Sequence, residues 1–369
     1  MTEKKNSSLP QMSVGKMADT LANAYVSLIK NSIPFKNFPS AMLWGAPGVG
    51  KSQGVRQIAS KIEKQTGKSV RITDVRLLLF NPIDLRGIPT ANADKTLAVW
   101  LKPKIFDMDK SDSVVNILFL DEISAAPQSV QAAAYQITLD RVIGEHKLPE
   151  NCIVIGAGNR VTDKSVAYKM PKALANRLLH IEIEADFEAW REWAVSKGIN
   201  GKVIAFLSFR RDYFIESEVS DNLAYPTPRS WEMVSNILNG TSSEVSDVYP
   251  LIAGLVGSGI AAEFKSFEKI YKTLPVIDDI FAGKNIPMPK SPDVLYALTS
   301  SMTDYARKHK DDIRLIENSM RFAMGMPPDF SAVLMKNYMY LDEGYKNTLL
   351  KIPLFVTWLS KAGRFINNA

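Results

Sequence analysis

The sequence predicts an α/β protein with a parallel sheet core, followed by helical regions that extend to its C-terminal end. Three observations predict this fold class. Short, almost continuous apolar runs alternate with helix-like segments up to about residue 185, a pattern typical of parallel strands covered on both faces. A glycine-rich loop connects the first of these runs to a helix. After about residue 186 the strand signals fade and apolar residues recur at helical spacing.

The elements of the first half follow in order along the chain. After a polar start, an apolar rhythm at Met17, Leu21, Tyr25, Leu28 and Ile29 fits an amphipathic helix. Runs rich in aliphatic and β-branched residues predict strands at 41–44, 69–80, 114–120, 152–158 and 178–184, and the segment after the glycine loop is predicted to be a helix that ends near Gly67.

The later half is predicted to be helical. Thr227 can cap one helix, with Pro228 at its first position and Gly240 at its end. The stretch 330–366 is apolar enough to complete a helical core. Helices are predicted at 187–198, 201–214 and 227–240, with more from 244 onward.

Two hairpins are predicted within the first half. The segment 87–103 has turn residues, "ANADK", between two strand-like arms, and the segment 141–155 is predicted to turn near Gly144 and Glu145. Trp100 either packs to anchor its hairpin or contacts a partner.

Composition excludes several classes of protein. The chain has 369 residues, one cysteine and three scattered histidines, so an intrachain disulfide is impossible and a zinc site or histidine-based triad is not expected. We find neither a signal peptide nor a membrane span in the sequence, and we predict a cytoplasmic protein. A net charge of +6 permits attraction to nucleic acid without requiring it.

The stretch "GAPGVGKS" matches the phosphate-binding pattern G-x-x-x-x-G-K-[ST] and lies between an apolar strand and a helix. Its glycines allow backbone N–H groups to wrap phosphates, and the helix N-terminus favours negative charge. Lys51 can reach the β- and γ-phosphates of ATP, and Ser52 can hold Mg²⁺. The predicted nucleotide-binding residues are Gly45, Ala46, Pro47, Gly48, Val49, Gly50, Lys51 and Ser52.

Polar residues follow two of the other predicted strands. In "ILFLDEIS", Asp121 can hold the metal and Glu122 can polarise water, which favours hydrolysis of ATP over a kinase reaction. In "GAGNR", Asn159 can align the attacking water, although alone it could be a turn residue. In a parallel sheet, the carboxyl ends of the strands bring these side chains to one edge.

Together these motifs resemble the AAA+ ATPases, and more narrowly the MoxR-like group of the branch with an insert in the second helix. "GAPGVGKS" is similar to the Walker A motif, "ILFLDEIS" to Walker B and "GAGNR" to sensor 1. The resemblance extends over residues 35–240 and is looser beyond. It implies a P-loop AAA+ parallel sheet core with a helical lid and an additional C-terminal helical region. The hairpins resemble family inserts that face the ring axis or a partner protein.

The resemblance also gives roles to two arginines. Arg229 matches the sensor 2 position, where an arginine contacts the γ-phosphate of its own subunit's nucleotide. Arg177 matches the arginine finger, which reaches the nucleotide of a neighbouring subunit. Read locally, Arg177 is an ordinary arginine at the end of a helix, stabilised by the helix dipole. Arg141 is a rival for the trans-acting role.

The domain organisation that follows from the resemblance has four parts. Residues 1–38 are predicted to be an N-terminal helical segment, 39–185 the nucleotide-binding core, 186–243 the helical lid and 244–369 a C-terminal helical extension.

The predicted function is a Mg-dependent ATPase that forms a homo-oligomer, expected to be a hexamer. It would remodel or mature a partner protein, and the resemblance implies a partner with a von Willebrand factor A-like domain. The alternative is an AAA+ nucleic-acid motor or loader, which the lack of a concentrated basic and aromatic surface in the sequence disfavours. A nucleotide-gated switch with little turnover is a third class, disfavoured by Glu122. A GTPase or an ABC transporter ATPase is not expected, because their base-reading and signature motifs are missing.

Overall fold

The computed structural model describes residues 9–160, 170–216, 222–342 and 344–366. The chain divides into two compact units, Met1–Asp186 and Phe187–Ala369. All the strands of the described residues lie in the first unit, and the second contains only helices and their connections. The finer division into core, lid and extension stays a prediction.

A six-stranded parallel sheet forms the centre of the first unit. The predicted parallel sheet is therefore confirmed. Its strands are β1 (Gln11–Met12), β2 (Ala41–Trp44), β3 (Ser69–Arg76), β6 (Val114–Asp121), β9 (Cys152–Gly158) and β10 (Leu179–Ile183), and their order across the sheet is β1-β10-β2-β9-β6-β3. Two hairpins add the strands β4 (Ile88–Ala91), β5 (Ala98–Leu101), β7 (Val142–Ile143) and β8 (His146–Lys147). The helices of this unit are α1 (Val14–Lys30), α2 (Lys51–Thr66), α3 (Pro82–Arg86), α4 (Gln128–Asp140) and α5 (Lys172–Ala175).

Both faces of the sheet are covered, which explains the continuous apolar runs of its central strands. On β6, Ile117 packs in a cluster with residues of α1 and α2, whereas the next residue, Leu118, packs in a cluster with residues of α4. Successive side chains of a strand point to opposite faces, so each central strand needs apolar residues at almost every position.

The structure differs from the predicted elements at both edges of the sheet. Strand β1 was not predicted, because two residues are too few to show a period. At the other edge the predicted strand 69–80 ends at Arg76, and Leu77–Leu79 form a 3-10 turn. Both predicted hairpins are present, and the second turns at Gly144, which has φ of 58°.

The second unit is a set of helices with its own apolar core. The stretch 330–366 contributes buried residues to that core, including Leu334, Tyr338 and Phe355, as predicted. The helices of the second unit are α6 (Phe187–Lys197), α7 (Gly201–Phe209), α8 (Pro228–Thr241), α9 (Tyr249–Val256), α10 (Ser258–Tyr271), α11 (Ile277–Phe281), α12 (Pro292–Lys308), α13 (Ile313–Ala323), α14 (Pro328–Met339), α15 (Tyr345–Leu349) and α16 (Pro353–Ile366). In the whole chain, none of the described helices is long and apolar enough to span a bilayer.

Candidate nucleotide site

The glycine loop connects β2, a central strand, to the N-terminus of α2. A Cβ on Gly45 would lie 2.8 Å from the carbonyl oxygen of Ile183, so only glycine fits against β10 there. Gly50 has φ of +106°, a backbone conformation that residues with a Cβ rarely adopt. The loop shape therefore depends on glycine at its first position and at the position before Lys51.

The ammonium group of Lys51 is buried within this loop. Its Nζ donates to the carbonyl oxygens of Gly45 at 2.5 Å and Ala46 at 3.2 Å, and to Oδ1 of Asn159 at 2.9 Å. Lys51 and Asn159, 108 residues apart in the chain, thus meet at one point. A lysine held at the first turn of a helix is suited to binding phosphate oxygens.

The next residue of the motif faces the end of β6. The hydroxyl of Ser52 donates to Oδ2 of Asp121 at 3.0 Å. Both are hard oxygen ligands of the kind that Mg²⁺ prefers, and Mg²⁺ commonly takes one or two protein oxygens together with substrate phosphates. This donor set fits Mg²⁺. In the described part of the chain there is no cluster of three or more His, Cys, Asp or Glu residues able to hold a metal ion.

Asp74 on β3 is an acidic neighbour that the sequence did not single out. Partial burial, followed by the charge of Asp121, raises the pKa of the Asp74 carboxyl. The carboxyl of Asp121 thus contributes negative charge close to Asp74, which a bound cation would offset. Only the pairing of β3 with β6 brings Asp74 close to Asp121, so no local sequence signal could have found it.

Glu122 has a fixed backbone immediately after β6. It takes the left-handed conformation, with φ of 61° and ψ of 30°, and its N–H donates to Oδ1 of Asp121 at 2.8 Å. Its carbonyl oxygen accepts from the N–H groups of Ala125 and Ala126. Asp121 and Glu122 are therefore held in one rigid turn at the strand end.

Asn159 follows β9, which lies between β2 and β6, so its strand is next to the strand that carries Asp121. Its backbone N–H donates to the hydroxyl of Ser124 at 2.8 Å. The next residue, Arg160, forms an ion pair with the buried Glu182 of β10. The sequence reasoning did not single out Ser124, Arg160 or Glu182, because their contacts join segments that are distant in the chain.

The two candidate trans-acting arginines have different surroundings. Arg177 lies in the turn between α5 and β10, is exposed, and makes no hydrogen bond or ion pair within the described residues. Arg141 ends α4 in a left-handed conformation, and its guanidinium donates to the carbonyl oxygen of Cys152 in the same subunit. Arg141 thus makes an internal contact, whereas Arg177 makes none within the described residues.

Arg229 belongs to the second unit. It is exposed at the second position of α8, whose start is marked by Thr227 and Ser230. The Oγ1 of Thr227 accepts from the N–H of Ser230 at 3.0 Å, and the hydroxyl of Ser230 accepts from the N–H of Thr227 at 2.7 Å. The predicted helix start is confirmed, and the sensor 2 role of Arg229 stays a prediction.

The segment that contains the candidate site residues of the first unit matches a known protein family. Residues 40–180 match the family of ATPases associated with various cellular activities, AAA_3. The chain carries an AAA+ ATPase core. It is an ATP-hydrolysing enzyme with the AAA+ P-loop fold. The match supports an AAA+ ATPase and does not distinguish the MoxR-like group.

Comparisons with curated proteins and solved structures add little to this. No curated protein matches the chain significantly. A provisionally assigned ATPase from Cytophaga hutchinsonii is 15% identical, with 88% of this chain and 91% of that chain covered and a TM-score of 0.33. A RuvB point mutant from Thermotoga maritima is 16% identical, with 78% and 81% covered and a TM-score of 0.34. PCH-2 from C. elegans is 14% identical, with 81% and 71% covered and a TM-score of 0.33. Such low TM-scores give these likenesses no weight for function.

Proposed function

We propose that this AAA+ protein is a Mg²⁺-dependent ATPase that works as a ring oligomer and uses hydrolysis to remodel or mature a partner protein. The observation that carries the proposal is the meeting of Lys51 and Asn159 beside the pair Ser52 and Asp121. In this proposal Lys51 would bind the β- and γ-phosphates, and Ser52 and Asp121 would hold Mg²⁺ through their side-chain oxygens. Glu122 polarises the attacking water, which Asn159 orients.

The exposed position of Arg177 supports a site shared between subunits. Its guanidinium has no partner in the described part of its own chain, so it is available to a nucleotide in a neighbouring subunit. Arg141, by contrast, would have to leave the carbonyl oxygen of Cys152 to act in trans. We therefore assign the arginine finger to Arg177. Arg229 contacts the γ-phosphate of its own subunit's nucleotide in this proposal.

The hairpin of β4 and β5 supports a protein partner. Ile88 and Leu101 are paired across the hairpin and are 60% and 58% exposed, and Val99 extends the same face. We call these three residues the apolar hairpin face. Exposed apolar residues grouped on one face are typical of protein interaction sites. Trp100 is half-buried on the opposite face, and its carbonyl oxygen accepts from Nε2 of His146, which supports an anchoring role for that residue.

The finer parts of the proposal rest on the resemblance to the MoxR-like group. They are a hexameric ring, a chaperone-like role, a cytoplasmic location and a partner with a von Willebrand factor A-like domain. The alternative of a nucleic-acid motor or loader is supported by the net charge of +6 and by the resemblance, since the branch includes helicase and restriction ATPases.

Capture of the partner tests the proposal. Glu122→Gln should bind ATP without hydrolysing it, so partners held by the ATP state should co-purify with the variant in ATP and Mg²⁺. Lys51→Ala, handled in parallel, controls for ATP-independent binding. Recovery of a protein with the variant, released when ATP is removed, supports remodelling. Recovery of nucleic acid alone, together with ATPase stimulation by DNA, would favour the motor or loader instead.

A further inference from the structure

The turn that carries Arg177 is tied to the strand that carries the glycine loop. Nε2 of His180, on β10, lies 2.7 Å from the carbonyl oxygen of Ala175, the last residue of α5. Nδ1 of the same ring lies 2.8 Å from Nε1 of Trp44, the last residue of β2. The two ring planes are nearly parallel, at an interplanar angle of 21°, and their centroids lie 6.0 Å apart. One histidine thus bridges the Arg177 turn and the residue that precedes Gly45.

These contacts determine which ring nitrogen carries the proton. An indole N–H can only donate, so Nδ1 of His180 accepts from Trp44. A carbonyl oxygen can only accept, so Nε2 of His180 carries the proton and donates to Ala175. Trp44 therefore selects the tautomer that holds the Arg177 turn. The N–H of Leu178 donates to the same carbonyl oxygen at 3.2 Å and closes the turn around Arg177.

The register of the sheet makes this arrangement specific to these positions. His180 pairs with Met42 and Glu182 pairs with Trp44 across neighbouring parallel strands, so the side chains of Trp44 and His180 lie on the same sheet face. Trp44 is followed directly by Gly45, the first residue of the glycine loop, and β10 ends at Ile183, three residues after His180. The bridge therefore joins the last residue of β2 to the backbone of the turn that carries Arg177.

We propose that His180 is a positioning residue for Arg177, and that Trp44 fixes His180 in the tautomer this requires. The inference rests on the proposed function, because it takes Arg177 to serve the nucleotide of a neighbouring subunit. Arg177 makes no described contact of its own, so the backbone of its turn sets where the guanidinium can reach. His180 and Trp44 are consequently needed by the subunit that donates the arginine and are not needed by the subunit that receives it.

Mixed assemblies of two inactive variants test this asymmetry. Arg177→Ala subunits keep an intact nucleotide site and lack the arginine, whereas Glu122→Gln subunits keep the arginine and cannot hydrolyse ATP. In a shared-site enzyme, mixing them should restore ATPase activity at receiver sites that face a donor. His180→Phe is then added either to the Glu122→Gln donor or to the Arg177→Ala receiver, and phosphate release is measured for each mixture.

The expected result differs between the two placements. In the donor, His180→Phe should reduce the rescue by about tenfold to 10²-fold, the scale of loss expected when a catalytic group is displaced by about 1 Å. In the receiver it should leave the rescue unchanged. Trp44→Phe keeps an aromatic side chain and removes the indole N–H, so this substitution in the donor should also reduce the rescue. It tests the same bridge if the His180→Phe variant folds poorly.

A matched control uses another histidine with the same kind of bond. His146 also donates through Nε2 to a carbonyl oxygen, that of Trp100, but lies in the second hairpin. His146→Phe in the donor should leave the rescue intact. Equal loss from His180→Phe in donor and receiver, or full rescue by a donor that carries it, would overturn the positioning role. If the unmodified donor gives no rescue, the shared-site proposal itself fails, and the positioning role fails with it.

Discussion

Glu122 illustrates, at the scale of a single residue, how the site differs from an ordinary strand end. A residue with a Cβ rarely adopts the left-handed conformation, and such strain persists where surrounding contacts enforce it. Here the enforcing contacts are the bond from its N–H to Asp121 and the two bonds to its carbonyl oxygen. The turn thereby holds the proposed metal ligand and the proposed base in a fixed relation.

Two substitutions should separate binding from hydrolysis. Glu122→Gln should bind ATP as the parent does and lose about 10² or more in turnover, because only the water-activating carboxylate is removed. Lys51→Ala should lose ATP binding, because the buried ammonium is the main positive charge in the loop. Nucleotide fluorescence and phosphate release measure the two properties. A Glu122→Gln variant with parental turnover would contradict the assigned role and would favour a different base.

The buried carboxyl of Asp304 leads us to predict that the stability of the second unit depends on pH. Burial raises the pKa of its carboxyl from 3.8 to about 6, despite opposing contributions from Arg307, Lys308 and the N–H of Gly201. The folded state therefore holds a proton between about pH 4 and pH 6 that the unfolded chain releases. This contribution to stability is present at low pH and is lost as the pH rises through 6, by about 1 kcal/mol between pH 5 and pH 8.

Substitution of Asp304 by asparagine tests that contribution. The amide side chain of Asp304→Asn can still accept from the N–H of Gly201 and cannot ionise, so the change in unfolding free energy between pH 5 and pH 8 should become about 1 kcal/mol smaller. Urea unfolding at both pH values measures it. The exposed Asp311→Asn variant is the control for removing one negative charge. An unchanged pH dependence in Asp304→Asn would contradict the raised pKa of the Asp304 carboxyl in the folded state.

At the scale of elements, substitutions in the apolar hairpin face should impair partner binding and leave ATP hydrolysis unchanged. Ile88→Ser with Leu101→Ser should leave the melting temperature nearly unchanged, because exposed positions contribute little to stability, roughly within 0.5 kcal/mol each. Basal ATP turnover should also be retained. Capture of the partner by the Glu122→Gln trap should be lost when these two substitutions are added.

A control for that experiment is available in the second unit. Leu251, on α9, is 55% exposed, so Leu251→Ser removes comparable apolar surface outside the hairpin. Partner capture should survive this change. Loss of capture with Leu251→Ser as well would indicate a general effect of reduced surface hydrophobicity, and retention with the hairpin variant would exclude the hairpin as the docking element.

At the scale of the whole molecule, the proposed enzyme depends on assembly. ATP turnover per subunit should rise with protein concentration and reach a plateau, because each site requires an arginine from a neighbour. Arg177→Ala should lose about 10³ or more in turnover while its sedimentation and ATP binding stay parental. Arg141→Ala is the comparison, since its arginine bonds within its own subunit. Full activity of Arg177→Ala, or turnover independent of concentration, would contradict the shared site.

Long or strongly patterned features could be predicted from the sequence. The central strands are recognisable because burial on both faces demands apolar residues at almost every position. The "GAPGVGKS" loop is recognisable because phosphate binding fixes both residue types and spacing. Strand β1 and the 3-10 turn after Arg76 escaped prediction, because two or three residues show no period and their form depends on neighbouring strands and on packing.

Local pattern and composition were enough to establish the parallel sheet, the phosphate loop and the chemical types of the candidate site residues. The folded chain was needed to show which residues meet: Lys51 with Asn159, Asp74 near Asp121, and His180 between Trp44 and the Arg177 turn. These contacts depend on the order of the parallel strands, which brings together side chains that are far apart in the chain. Strand order follows from packing both faces of the sheet at once, which no local segment encodes.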